Sequence, residues 1–260
     1  MQIELVGCTC AGKTTLAKKM IAAGQALGID VQLSDDFLLN CLRLNWIKQE
    51  FVRRRVIELW ALLTCPMFLY KYRELYDLII RICFLAPGSV PYRIKLARVA
   101  LKKIGIYEII RRRSSDQQVI LLDNEGVLQA SHTLFVHTGS APYADNLADF
   151  LNLAPLPDVI AYLRLPEPLL IERTLKRGHN RIPENSETEA VANFISQAVF
   201  IFDEIQHDRK FADKLIVIDG ERNKISSGEH ALNPGVAKVA KLILAGMNTT
   251  PTNGLLPPSV

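Results

Sequence analysis

This 260-residue chain is poor in the features that would place it in several large classes. It has only 5 cysteines, an odd number, at Cys8, Cys10, Cys41, Cys65 and Cys83, and no pair repeats at zinc spacing. A disulfide scaffold is excluded, and all five read as reduced thiols of a cytosolic protein. The 5 histidines, His132, His137, His179, His207 and His230, show no metal-ligand spacing and read as surface or core residues. Aromatics are only 7% of the chain. The most apolar stretch, Leu59 to Tyr70, is too short to span a bilayer and is followed by Lys71, Arg73, Glu74, Asp77 and Arg81. No signal peptide precedes the first strand, no internal repeat is evident, and the expected location is cytoplasmic. Net charge is only +4, which suits anionic ligands without indicating nucleic acid.

Against these absences stand 49% hydrophobic residues and a mean hydropathy of +0.13, ample for a globular core. The most informative stretch is Gly7 to Thr14, G-C-T-C-A-G-K-T, a complete G-x-x-x-x-G-K-[ST] (Walker A) pattern. An apolar strand, Ile3 to Val6, precedes it, and a helix-forming stretch from Lys13 to Leu27 follows. Glycines let the backbone turn tightly, so that successive N–H groups point at phosphate oxygens, and the helix adds its positive end. Gly7, Cys8, Thr9, Cys10, Ala11, Gly12, Lys13, Thr14 and Thr15 are therefore the expected nucleotide-binding residues. Lys13 would reach the β- and γ-phosphates, and the Thr14 hydroxyl would hold Mg²⁺.

Further strands are expected at Val31 to Leu33, Gln118 to Leu122, Asp158 to Leu163 and Leu215 to Ile218. Helices are expected from Pro166 to Arg177, Glu187 to Gln206 and Val236 to Ala245. The alternation predicts an α/β fold, a doubly wound parallel five-stranded sheet. The domain spans 1–247, with a flexible tail at 248–260. Apolar spacings of three and four make Phe37 to Arg113 a helical insertion between the second and third strands, on the acceptor side, with a new helix beginning at Pro66.

Asp123 ends the third strand beside the phosphate loop, where a carboxylate holds Mg²⁺, with Glu125 the second choice. Asp35 and Asp36 follow the second strand. Transfer to a hydroxyl needs one carboxylate to orient it and take its proton, and this role falls to Asp35, with Asp36 as an N-cap. Arg173 and Arg177 share a helix face, and Arg181 lies in a polar loop at 178–186 expected to act as a lid over the phosphates. Arg173 and Arg177 are assigned to catalysis, Arg177 and Arg181 to the nucleotide. Arg164 is a weaker phosphate contact. Asn223-Lys224 lacks the aspartate of a guanine-reading N-K-x-D, so GTP specificity is not supported. The runs Arg53-Arg54-Arg55 and Arg111-Arg112-Arg113 read as solvated faces.

The order of these motifs resembles the P-loop small-molecule kinases, in the thymidylate kinase and nucleoside kinase branch. Val31-Gln32-Leu33-Ser34-Asp35-Asp36-Phe37 is similar to the strand-then-D-D-F segment of uridine and nicotinamide riboside kinases, whose first aspartate is the base. Tyr162 to Pro168, with Glu172-Arg173 and Arg177-Gly178, is similar to the strand-to-lid passage of thymidylate kinases, whose lid arginines contact phosphates and nucleotide. The D-R-[YH] segment of thymidylate kinases is replaced by Asp123-Asn124-Glu125-Gly126, and the helical block has no counterpart. The resemblance implies an ATP- and Mg²⁺-dependent phosphotransferase acting on a hydroxyl of a nucleoside-like or sugar-like small molecule. A nucleoside monophosphate kinase and a nucleotide-dependent regulatory NTPase are the alternatives. No nucleic-acid partner is expected. A homodimer stays open, and contact of the basic helical block with a membrane surface or a lipid-linked acceptor is the lesser reading beside a packed helical pair.

Overall fold

The computed structural model describes residues 1–115, 118–137, 144–179, 181–182 and 186–220. Five strands, β1 (Gln2–Val6), β2 (Asp30–Leu33), β3 (Gln118–Asp123), β4 (Val159–Arg164) and β5 (Leu215–Asp219), form one parallel sheet in the order β2-β3-β1-β4-β5. Ile3 pairs with Leu121 on one side and Val159 on the other, which puts β1 at the centre. All five β1 residues are buried, as expected of a parallel strand covered on both faces. Between the strands run α1 (Lys13–Ala26), α2 (Ser34–Cys41), α3 (Glu50–Thr64), α4 (Arg73–Leu85), α5 (Val90–Arg113), α6 (Ala130–Phe135), α7 (Ala144–Leu153), α8 (Glu167–Arg177) and α9 (Thr188–His207). The doubly wound α/β reading holds.

Side chains of β3 alternate between two cores, as the period of two in a strand demands. Val119 and Leu121 join the main cluster, which also takes in α1, α4 and α9. Ile120 and Leu122 join a smaller cluster with Phe37, Leu38, Ile57, Ala61, Ile106 and Ile110 from α2, α3 and α5. The helices α2 to α5 all lie between β2 and β3 in the chain. Glu108 ties this block together. Its carboxylate is buried, which raises its pKa, but hydrogen bonds from Lys71, Tyr72 and Arg111 outweigh burial and hold it down at about 2.

Several local expectations differ from the structure. Pro66 stands at the start of a helix as expected, but this is only a short 3₁₀ helix, Cys65–Phe68, and the α-helix that follows, α4, starts at Arg73. Asp36 is not an N-cap, because β2 runs directly into α2, whose cap is Leu33; both aspartates lie in the first helical turn. Helices α6 and α7 were not expected. The first spans only 6 residues, too brief for a period of 3.6 to register. The expected helix at 236–245, the tail at 248–260 and part of the loop at 178–186 lie outside the described residues.

Candidate phosphate-binding site

Three adjacent strand ends deliver the chemistry. β1 ends in the phosphate loop, β3 in Asp123, and β2 passes into Asp35 of α2. The loop depends on its first glycine: Gly7 has φ +147°, and a Cβ there would stand 2.7 Å from the Leu163 carbonyl oxygen of β4. Gly12, at φ +100°, begins α1 with no side-chain cap and no acidic residue in the first turn. The positive end of that helix is therefore left for an anion.

Lys13 is buried, and its Nζ donates to the carbonyls of Gly7 at 2.8 Å and Cys8 at 3.0 Å. Burial lowers its pKa, with nearby thiols and Asp123 opposing. The Thr14 hydroxyl lies close enough to the Asp123 carboxylate to pull its pKa down, and the Asn124 amide donates to that carboxylate at 3.1 Å. Burial pushes Asp123 upward in pKa. Among the described residues no three His, Cys, Asp or Glu side chains converge as a metal cage. Mg²⁺ needs none: it takes one or two protein oxygens and completes its octahedron with phosphates and water. A hydroxyl and a carboxylate meeting beside a phosphate loop fit that ion.

Asp35 is largely buried, with its pKa raised to about 6, first by desolvation and then by the charge of Glu125. Glu125 itself is paired with Lys102 of α5 at 2.8 Å. Asp36 is taken up by an ion pair with Arg53. The two neighbouring carboxylates thus have different fates, one engaged by an arginine and one held at elevated pKa near the site.

The arginines divide as well. Arg173 donates to the Cys10 carbonyl of the loop at 3.4 Å. Arg177, in the last turn of α8, lines the cavity above the loop with Gly178 and His179. Arg181 also lines it, but its guanidinium is engaged by the carbonyls of His132 at 2.9 Å, Thr133 at 3.2 Å and Val136, so it caps the end of α6. Arg164 pairs with Asp219 at 2.9 Å.

The cavity holds about 490 Å³, the size of a small-ligand site. The loop from Thr9 to Thr15 forms one wall. Sequence reasoning missed Lys102, Lys103, Gln129 and His132, which also line it. Lys103 is buried, and desolvation lowers it to about 8. Burial raises Glu4, within β1, to about 7, Lys103 lying close enough to oppose the shift. His132 is buried, and its pKa is lowered first by desolvation and then by Arg181; the ring stacks on Phe202 at 6.1 Å. Helical periodicity marked α5 in the sequence, but nothing local showed which of its lysines face the loop.

No protein-family model and no curated protein matches the chain. Among solved structures it is similar to deoxyadenosine kinase from M. mycoides with dCMP and dCDP bound, at 14% identity over 94% of this chain and 100% of that one, with a TM-score of 0.47. Thymidylate kinase from Ehrlichia chaffeensis gives 13%, 94%, 98% and 0.47. Shikimate kinase from Acinetobacter baumannii in complex with shikimate gives 18%, 96%, 94% and 0.39. Likeness of this degree carries no weight for activity, and the functional reading rests on the geometry of the site.

Proposed function

We propose that the protein is an ATP- and Mg²⁺-dependent phosphotransferase that moves the γ-phosphoryl group to a hydroxyl of a small molecule, nucleoside-like or sugar-like. The observation that carries this reading is the order of strand ends: phosphate loop, Asp123 and Asp35 stand side by side on one sheet edge. Lys13 leaves the Gly7 and Cys8 carbonyls to meet the β- and γ-phosphates, while loop amides and the α1 terminus cradle them. Thr14 and Asp123 hold Mg²⁺, which when bound neutralises phosphate charge. Asp35 orients the acceptor hydroxyl and accepts its proton as the oxygen bonds to the γ-phosphorus and the bond to the β–γ bridging oxygen breaks. Arg177 faces the transferring group from α8, and Arg173 steadies the loop through Cys10.

A second reading has its own support. Lys103 and Arg177 line the same cavity, beside Lys102 held by Glu125 and Arg181 held by the α6 carbonyls, and this gathering of cations suits an acceptor that already carries phosphate, as a nucleoside monophosphate does. The test is ADP release and ³¹P detection of product across panels of hydroxyl and monophosphate acceptors. Failure of every purine triphosphate to bind with Mg²⁺ in calorimetry sinks both readings.

A further inference from the structure

Charge is distributed very unevenly along the chain. Residues 37–113 hold 16 Lys and Arg against 5 Asp and Glu, a net +11. With +4 for the whole, the rest of the chain carries −7. Exposed apolar side chains gather in the same block. Of the fifteen large hydrophobic residues standing most exposed among those described, twelve lie between Trp46 and Ile94.

These side chains are arranged, not scattered. On α3, Phe51, Arg55, Leu59 and Leu63 recur every four residues and so share one face, with the Arg55 guanidinium over the Phe51 ring at 5.2 Å. Just past the helix, Met67 is 70% exposed and Tyr70 99% exposed. Glu58, beside Leu59, accepts from Arg98 of α5 at 2.8 Å. One turn before Arg98 stands Ile94, and one turn before that Val90, both exposed. The ion pair therefore joins the outer sides of α3 and the first half of α5. One turn beyond Arg98, Lys102 lines the cavity, so the same helix connects this surface to the site.

We propose that this face docks on an anionic lipid bilayer, lying in its interfacial layer. Among the described residues no helix is long and apolar enough to cross a membrane, so the contact is peripheral. A bilayer surface with acidic headgroups answers both halves of the pattern: basic side chains meet the headgroups while Leu59, Leu63 and Met67 enter the acyl boundary. A second copy docked symmetrically through the same face would bring another strongly cationic block against the first and be repelled. Nucleic acid would match the charge but offers nothing to exposed aliphatic side chains.

The test is flotation of the full-length protein with vesicles of phosphatidylcholine alone or mixed with phosphatidylglycerol, at low and high salt. Binding should rise with phosphatidylglycerol and weaken with salt. Leu59→Ser with Leu63→Ser should lower affinity for the mixed vesicles about tenfold or more through lost apolar insertion. Arg54→Glu with Lys95→Glu should lower it by a similar factor through charge. Met67→Ser, outside any α-helix, repeats the apolar test, and unchanged circular-dichroism melting identifies the variants that remain folded. Absence of binding to mixed vesicles, or folded variants that bind like the parent chain, overturns the proposal. So does a dimer in sedimentation equilibrium that Leu59→Ser with Leu63→Ser dissolves, or a nucleic-acid complex that displaces the vesicles.

Discussion

Glu4 on the central strand accepts the backbone N–H of Gln129 at 2.7 Å, and Gln129 in turn holds the phosphate loop. The Gln129 side chain accepts from the Gly7 N–H at 3.2 Å and donates to the Gly7 carbonyl at 3.3 Å. A buried carboxylate thus positions the segment after β3, and that segment fixes the first glycine of the loop. Replacing the amide by Gln129→Leu removes both bonds and leaves the Gly7 N–H unpaired. The expected loss is about 1–3 kcal/mol of unfolding free energy, read from urea denaturation, together with weaker triphosphate binding in calorimetry.

Gly126 tests the same contact from the other side. A Cβ there would fall 2.0 Å from the Glu4 carboxyl carbon. Gly126→Ala must displace Glu4 or the loop, at a cost of about 1–3 kcal/mol typical of overpacking. A variant with parental stability in denaturant would show that Glu4 has room to move.

Lys13→Ala removes the ammonium that donates to the Gly7 and Cys8 carbonyls of the loop. Turnover should fall on the order of a hundredfold or more, since charge stabilisation at the transferring phosphoryl is lost. Steady-state assays with a matched circular-dichroism melt decide this, and retained phosphorylation would remove Lys13 from the mechanism.

Asp35 carries two opposite expectations. As a base it must be ionised, so the rate should decline as pH falls through about 6. Its folded pKa lies above the ordinary value of 3.8, so its contribution to stability is present at low pH and is lost as pH rises through about 6. Asp35→Asn should therefore melt higher than the parent protein at pH 7.5, by on the order of 1–2 kcal/mol, while turnover on a hydroxyl acceptor collapses. Unimpaired turnover with a monophosphate acceptor would favour the second reading of the cavity.

Thr14→Ala and Asp123→Asn each take away one oxygen of the proposed Mg²⁺ pair. Apparent Mg²⁺ affinity in the assay should drop at least about tenfold, as loss of even outer partners of a metal commonly does. A Mg²⁺ titration curve unchanged in both variants would move the metal elsewhere.

Much of this architecture was legible because it is written in local pattern. The loop is contiguous, Gly7 to Thr14, and its spacing alone implies a strand before and a helix after. Short apolar runs such as Gln118 to Leu122 announced buried parallel strands. The fates of Asp35 and Asp36 were not legible, because they depend on Arg53 from α3 and on Glu125 from beyond β3. Arg181 belonged by sequence to a charged loop, yet carbonyls exposed at the end of α6 engage its guanidinium in the fold.

The sequence by itself determined the phosphate loop, the five strands and the parallel winding, since each follows from neighbours a few residues apart. Tertiary structure alone decided that Lys102, Lys103, Gln129 and His132 surround the loop and that Glu4 anchors it. The physical reason is that burial and electrostatic pairing are set by whichever segments the folded chain brings together. A lysine on α5 becomes a cavity wall only because the fold brings that helix beside Glu4 of β1 and Glu125 after β3.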